Sequence, residues 1–192
     1  MDRGVGVVSD EVADRDLAGA RDRLRRLIRD VPDFPSEGIL FRDITPVLAD
    51  PEALLTAMEL QLAGVESVGD IDMVVGVESR GFLFGTMMAQ HLGCGFAPAR
   101  KPGKLPAETV EVRYALEYGE DALQLHRDAV TPGQRVLVVD DLLATGGTAS
   151  AAVALIRQLG AEVVACSFLI ELSFLGGRQR LDVPVVDAVL CY

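Results

Sequence analysis

Apolar and polar residues follow one another in blocks along this chain. Leu17, Ala20, Leu24, Leu27 and Ile28 recur at helical spacing with arginines on the opposite face, which predicts a helix from about Asp14 to Asp30. Residues 1–13, ahead of it, read as a poorly ordered tail. The stretch 31–50 is broken by Pro and Gly and is not one regular element. Asp50-Pro51 then opens a helix near 51–64, with proline in its first turn. IDMVVGVE, 71–78, is a short apolar run of the kind expected for a buried parallel strand. SRGFLFGTMMAQHLG, 79–93, reads as a turn and a helix closed by Gly93. GFAPAR, 95–100, reads as another strand. RVLVVDD, 135–141, is the strongest strand and GGTASAAVALIRQLG, 146–160, the strongest helix. EVVACSFLIEL, 162–172, and VPVVDAVLCY, 183–192, complete the set. Strand and helix alternate from 71 to 172, which predicts an α/β domain with a mostly parallel sheet.

One segment does not fit the alternation. KPGKLPAETVEVRYALEYGE, 101–120, is polar, long and broken by Gly and Pro, with some alternation at 109–114. Such segments inside compact domains are usually lids or binding loops. DALQLHRDAV, 121–130, alternates, and TPGQ turns the chain. There are no internal repeats.

Composition narrows the function classes. Of 192 residues, 29 are acidic and 18 basic, a net charge of −11. A broad positive field for nucleic acid or anionic lipid is therefore missing, and with no Trp and few aromatics a stacking platform for single strands is not expected. A phosphate ligand has to be held by local geometry. The cysteines, Cys94, Cys166 and Cys191, are odd in number and widely spaced, so neither a disulfide framework nor a structural zinc site is expected, and a reducing cytoplasm is. No apolar run reaches the ~18 residues of a membrane span, and no signal peptide is expected.

The chemistry concentrates at two strand-to-helix turns, where open parallel sheets bind ligands. In ATGGT, 144–148, Gly146 and Gly147 allow close backbone approach and Thr145 and Thr148 add hydroxyl donors. The helix that starts there points unpaired N–H groups and its positive dipole end into the turn. That suits a phosphate. The Walker spacing and its lysine are missing, as is G-x-G-x-x-G, so a terminal phosphomonoester fits better than a nucleoside triphosphate or a dinucleotide. Asp140 and Asp141 precede this turn. Facing a phosphate they would repel it; facing the vicinal hydroxyls of a ribose they would accept hydrogen bonds and favour positive charge on the sugar ring. A solvated acidic pair at a strand end is the plainer reading of the two acids alone, but not of the whole string. Arg100, Lys101 and Lys104 form a basic cluster at the start of the long polar segment.

The string VVDDLLATGGTA, 138–149, resembles the phosphoribosyl-diphosphate signature of the type I phosphoribosyltransferase family. PDFPSEGILFRDITPVL (32–48), ESRGFLFG (78–85), RKPGKLP (100–106) and LEYG (116–119) narrow the resemblance to the family's adenine phosphoribosyltransferases, in the same order. It runs from about Val31 to Leu190. It implies a type I phosphoribosyltransferase-like core: a mostly parallel sheet flanked by helices, with a small N-terminal hood. Residues 1–30 would be a tail and helix, and 31–192 a single domain with its hood at about 31–48 and its lid at about 101–118. The implied reaction is adenine plus 5-phospho-α-D-ribose 1-diphosphate giving AMP and diphosphate, with Mg²⁺ held mainly through substrate and no direct protein ligand.

The same resemblance assigns residues. Ala144, Thr145, Gly146, Gly147 and Thr148 would hold the 5-phosphate, and Asp140 and Asp141 the ribose. Ser79 and Arg80 would hold the diphosphate, through a turn whose peptide is often cis; Arg80 is also a candidate catalytic group. Glu78 varies among relatives and carries little weight. Arg100, Lys101, Lys104 and Tyr118 would close over the diphosphate, and Glu117 would move a proton on the adenine imidazole ring. Phe41 would stack on the base, which backbone groups around Leu40 and Arg42 would read. A homodimer in the cytoplasm is the family habit, with no nucleic-acid or membrane partner. Three rivals stay open: a transferase for another purine base, a non-catalytic sensor of phosphoribosyl diphosphate, and a non-catalytic small-molecule binder.

Overall fold

The computed structural model describes residues 17–115 and 120–192. The tail predicted at 1–13, and the sites predicted at Glu117 and Tyr118, lie outside the described residues. The chain divides into two compact units, the first ending at Thr56 and the second spanning Ala57–Tyr192.

In the first unit, α1 (Leu17–Leu27) buries Leu24 and leaves its arginines outside, as its helical spacing requires. The Pro-broken stretch that follows is more regular than expected. It holds a short antiparallel pair, β1 (Arg29–Pro32) and β2 (Leu40–Asp43), in which Val31 faces Phe41 and Pro32 faces Leu40. Pro32 sits at the strand end, where its missing N–H costs no ladder bond. After α2 (Thr45–Ala49), Asp50 caps α3 (Pro51–Ala63) by accepting the N–H groups of Glu52 and Ala53, each at 3.0 Å.

The second unit is a five-stranded sheet whose strands are all parallel. Its strands are β3 (Met73–Val77), β4 (Gly95–Ala99), β7 (Arg135–Leu143), β8 (Glu162–Glu171) and β9 (Val185–Cys191). The spatial order is β4-β3-β7-β8-β9. Helix α4 (Gly81–Leu92) lies over β3, β4 and β7, and α5 (Gly147–Gln158) over β7 and β8. Residues 74–77 of β3, 136–139 of β7 and nearly all of β8 are buried, which is why these strands read as apolar runs. From β3 the chain first moves outward to β4 and then returns to β7 on the other side. That reversal opens a crevice at the carboxyl ends of β3 and β7, the place where such sheets bind ligands.

Two expectations are corrected here. The strand predicted at 135–141 continues to Leu143, carrying both aspartates inside the ladder. The long polar segment is irregular only at first: Thr109–Ala115 forms β5, paired antiparallel with β6 (Glu120–His126) from Thr109↔His126 to Ala115↔Glu120. Val110, Leu123 and Leu125 of this ribbon join the core beneath α5, and that burial stabilises the strands.

Candidate active site

The turns after β3 and β7 meet in one cavity of about 330 Å³. Ser79, Arg80 and Lys101 line one side; Asp140, Asp141 and the whole run 144–148 line the other. This brings together the phosphate, ribose and part of the diphosphate sets predicted from sequence.

The approach of the two turns depends on glycine. Gly81 opens α4 directly after Arg80, and a Cβ there would lie 2.5 Å from the Val139 carbonyl oxygen and 3.1 Å from Asp140 Oδ1. Its absence lets the start of α4 rest on β7. Gly146 has φ +80° and would drive a Cβ to 2.5 Å from the Gly177 carbonyl oxygen. Gly177 in turn has no room for a Cβ against Ala144, so the 144–146 turn and the segment after β8 are backed against each other. No side chain caps the N-terminus of α4 or α5, and neither first turn carries an acid. Two sets of amide donors and two positive dipole ends therefore meet at this crevice.

The two aspartates are not a solvated pair. Asp141 is 4% exposed and Arg80 Nε lies 3.0 Å from its Oδ2. Asp140 accepts the Asp141 N–H at 2.9 Å. Burial and then the neighbouring Asp141 charge push the Asp140 carboxyl well above the ordinary carboxylate range. Burial also raises Asp141, and the Arg80 guanidinium offsets part of that rise. Of the two acids, Asp141 is the one held against a cation, Arg80. That couples Arg80 to the end of β7, a link the sequence did not show.

Arg100 and Lys104 do not line the cavity; Glu78 does, and it organises them. The Glu78 carboxylate pairs with Lys104 Nζ, lies 3.4 Å from Arg100 Nε and accepts the Lys101 N–H at 2.9 Å. Its peptide bond to Ser79 is cis. Burial works to raise the Glu78 carboxyl, but Lys104, the Lys101 amide and Arg100 together hold it below the ordinary range. Sequence reading gave this residue little weight because the position varies among relatives; its partners, more than twenty positions away, come to it only in the fold. A folded value below the unfolded one stabilises the protein above the ordinary carboxylate range, and this contribution is lost as pH falls through the folded value. Glu78→Gln is therefore expected to cost about 1–3 kcal/mol at pH 7, with the Tm difference from wild type shrinking on acidification. Differential scanning calorimetry across pH checks it.

Lys101 reaches across to a second network. Its Nζ donates to Tyr114 Oη at 2.7 Å and pairs with Asp121, while Thr148 Oγ1 lies 3.2 Å from the same phenol oxygen. Tyr114, Asp121 and Gly177 went unmarked in the sequence reading; the only signal was the alternation shared by 109–114 and 121–126 and the Gly-Gly pair at 176–177. The predicted base-binding residues belong to the first unit. Phe41 packs edge-on against Phe34 at 5.1 Å, Leu40 is half exposed and Arg42 pairs with Asp30. His126 accepts the Ala107 N–H at 3.3 Å, a structural role. Among the described residues, no group of three or more His, Cys, Asp or Glu side chains is placed to hold a metal ion. No helix among them is long and apolar enough to cross a membrane.

Comparison with known proteins agrees with this geometry. Residues 49–186 match the model of the phosphoribosyl transferase domain. An adenine phosphoribosyltransferase of Synechococcus sp. (strain JA-3-3Ab) is 58% identical over 167 residues, 87% of this chain and 95% of that protein. One from Acetivibrio thermocellus is 52% identical over 88% of this chain and 99% of its own length. Among solved structures, the adenine phosphoribosyltransferase of Rhodothermus marinus DSM 4252 superposes with a TM-score of 0.86 at 52% identity, covering 91% of this chain and 99% of that one. The Saccharomyces cerevisiae enzyme, complexed with an imino-altritol bisphosphate and adenine, gives 0.85 at 42% identity over 90% and 99%.

Proposed function

We propose, from the premise that this chain belongs to the phosphoribosyl transferase family, a function and a division of labour for its residues. The protein transfers the 5-phosphoribosyl group of 5-phospho-α-D-ribose 1-diphosphate to adenine, giving AMP and diphosphate, a purine-salvage reaction. The observation that carries this reading is the shared cavity wall. A helix N-terminus free of side-chain caps stands beside two carboxylates, so a phosphate and the hydroxyls of the same sugar are bound by neighbouring, opposite chemistries.

In this reading, the amides of 144–148 and the Thr145 hydroxyl anchor the 5-phosphate, while the single hydroxyl hydrogen of Thr148 is directed to Tyr114. Asp140 and Asp141 accept from the ribose hydroxyls and stabilise positive charge as the anomeric C–O bond breaks. Ser79, Arg80, Lys101 and, through Glu78, Arg100 and Lys104 take the charge that grows on the leaving diphosphate; Tyr118 belongs to the same set. The adenine nitrogen then bonds to the anomeric carbon with inversion, and its proton passes to Glu117. Positioning and exclusion of water matter most, because an exposed activated sugar hydrolyses. Mg²⁺, a hard cation, would be held here mainly by the oxygens of the diphosphate and ribose, with Asp140 and Asp141 close by to hold the sugar rather than to ligate the ion. When bound, it neutralises diphosphate charge.

Leu40, Phe41 and Arg42 recognise the base, Phe41 by stacking and the other two through backbone groups. Phe41→Ala is expected to raise the KM for adenine about tenfold and to leave the KM for phosphoribosyl diphosphate within twofold, measured by initial rates. The three cysteines are free thiols, which suits a reducing cytoplasm, and a homodimer is the assembly the family resemblance implies.

A base panel tests the reading. Purified protein, Mg²⁺ and phosphoribosyl diphosphate are mixed in turn with adenine, hypoxanthine, guanine, xanthine and orotate. AMP from adenine alone supports it. Turnover with another base instead would reassign the 40–42 segment, and binding of phosphoribosyl diphosphate without turnover would make the protein a sensor.

A further inference from the structure

We propose that Tyr114 is a positioning residue for the transfer: its phenol oxygen ties the 5-phosphate loop, at Thr148, to the ammonium of Lys101, so that one hydroxyl sets both ends of the bound phosphoribosyl diphosphate. This rests on the functional reading above, in which residues 144–148 take the 5-phosphate and Lys101 faces the diphosphate.

The geometry is specific to a phenol. Tyr114 stands on β5 directly opposite Asp121 on β6, so the two side chains share one face of the ribbon. The Tyr114 oxygen receives Lys101 Nζ at 2.7 Å and Thr148 Oγ1 at 3.2 Å, and its own hydrogen is directed to Asp121 Oδ2 at 3.3 Å. A phenol has one proton and two acceptor positions, and all three are used. Asp121 also pairs with Lys101, so the ammonium is held from two sides. Burial alone would lower the Lys101 pKa; Asp121 and Tyr114 outweigh it and keep the group charged. Lys101 and Thr148 both line the cavity. Lys101 and Thr148 are far apart in sequence, and the Tyr114 hydroxyl accepts from both. The antiparallel ribbon that corrected the predicted irregular segment is thus the element that delivers the link.

The test uses the intact protein, calorimetric titration and two separate probes, ribose 5-phosphate and inorganic diphosphate. Tyr114→Phe keeps the ring and its packing and removes one oxygen that touches neither probe. It is expected to weaken both probes at least about fivefold and to leave the KM for adenine unchanged. In a Lys101→Met background the loss toward diphosphate disappears, and in a Thr148→Val background the loss toward ribose 5-phosphate disappears, because the partner through which the phenol acts is already gone. A purely structural role would not give this pattern. Thr148→Val by itself is a second reading that leaves Tyr114 intact: it should weaken diphosphate about threefold, although Thr148 lies on the loop for the other group. Losses confined to one probe, additive losses in the double variants, or an unchanged diphosphate affinity in Thr148→Val would overturn the proposal, while wild-type binding and AMP formation would leave the functional reading standing. Failure of the wild-type protein to bind either probe would overturn both.

Discussion

Gly146→Ala is expected to lower kcat/KM for phosphoribosyl diphosphate by about a hundredfold or more, because ångström-scale misplacement of an anchoring loop costs that much. Two independent physical costs act at this position. The backbone has φ +80°, a left-handed conformation that costs an L-residue roughly 1–2 kcal/mol. The added Cβ would also lie 2.5 Å from the Gly177 carbonyl oxygen, and backbone atoms on both sides leave no flexible end to move aside. The loop must open, and the amides at the start of α5 turn away from the phosphate. Because the loss falls on the anchoring group, ribose 5-phosphate affinity should fall in parallel with kcat/KM, and calorimetric titration measures it. Gly177→Ala should do the same from behind. Its Cβ would meet Ala144 and Gly146, although Gly177 does not line the cavity. A Gly177 variant with normal affinity would show that the loop holds its shape without that support.

The aspartates give the second large effect, and the two should separate. Asp141→Asn removes the charge beside Arg80 and the developing sugar cation, and is expected to reduce kcat/KM by about 10²–10³-fold with the adenine KM little changed. Asp140→Asn is expected to lose activity and gain stability. The folded protein holds Asp140 above its unfolded pKa, so its ionised form opposes folding: stability is greatest below the ordinary carboxylate range and falls as pH rises toward the folded value. Asparagine abolishes that penalty. The variant should melt above wild type at pH 7, and the difference should vanish once pH drops below the ordinary carboxylate range. Calorimetry across pH checks the sign. A lower Tm at pH 7 would mean that the charged form of Asp140 is already compensated in the fold.

The parts of this architecture that were legible in sequence are those held by many apolar neighbours. β3, β7 and β8 are covered on both faces, so they appear as runs of Val, Leu and Ile, and α5 carries its core face as a repeated Ala, Val, Leu, Ile pattern. The turn at 144–148 was legible because its form is written locally: glycines for conformation, threonines for hydroxyls and a helix behind them. What escaped depends on partners distant in the chain. β5 and β6 are short and half-polar, and neither is stable without the other and the α5 face. Glu78, given little weight from sequence, is joined by Lys104 and Arg100 only in the fold. Gly177 went unmarked because its partners, Ala144 and Gly146, meet it only across the fold. The β1–β2 pair was hidden by Pro32, which sits at the strand end where no ladder bond is lost.

The central claim is that this cavity transfers a phosphoribosyl group and does not merely hold one. Phosphorus NMR on a single sample of protein, Mg²⁺ and phosphoribosyl diphosphate, followed before and after adenine is added, tests it most directly. The account predicts stable substrate resonances at first, then their replacement by free diphosphate and the AMP phosphate in equal amounts. Substrate that persists after adenine is added, or that breaks down to ribose 5-phosphate and diphosphate without it, would contradict the account.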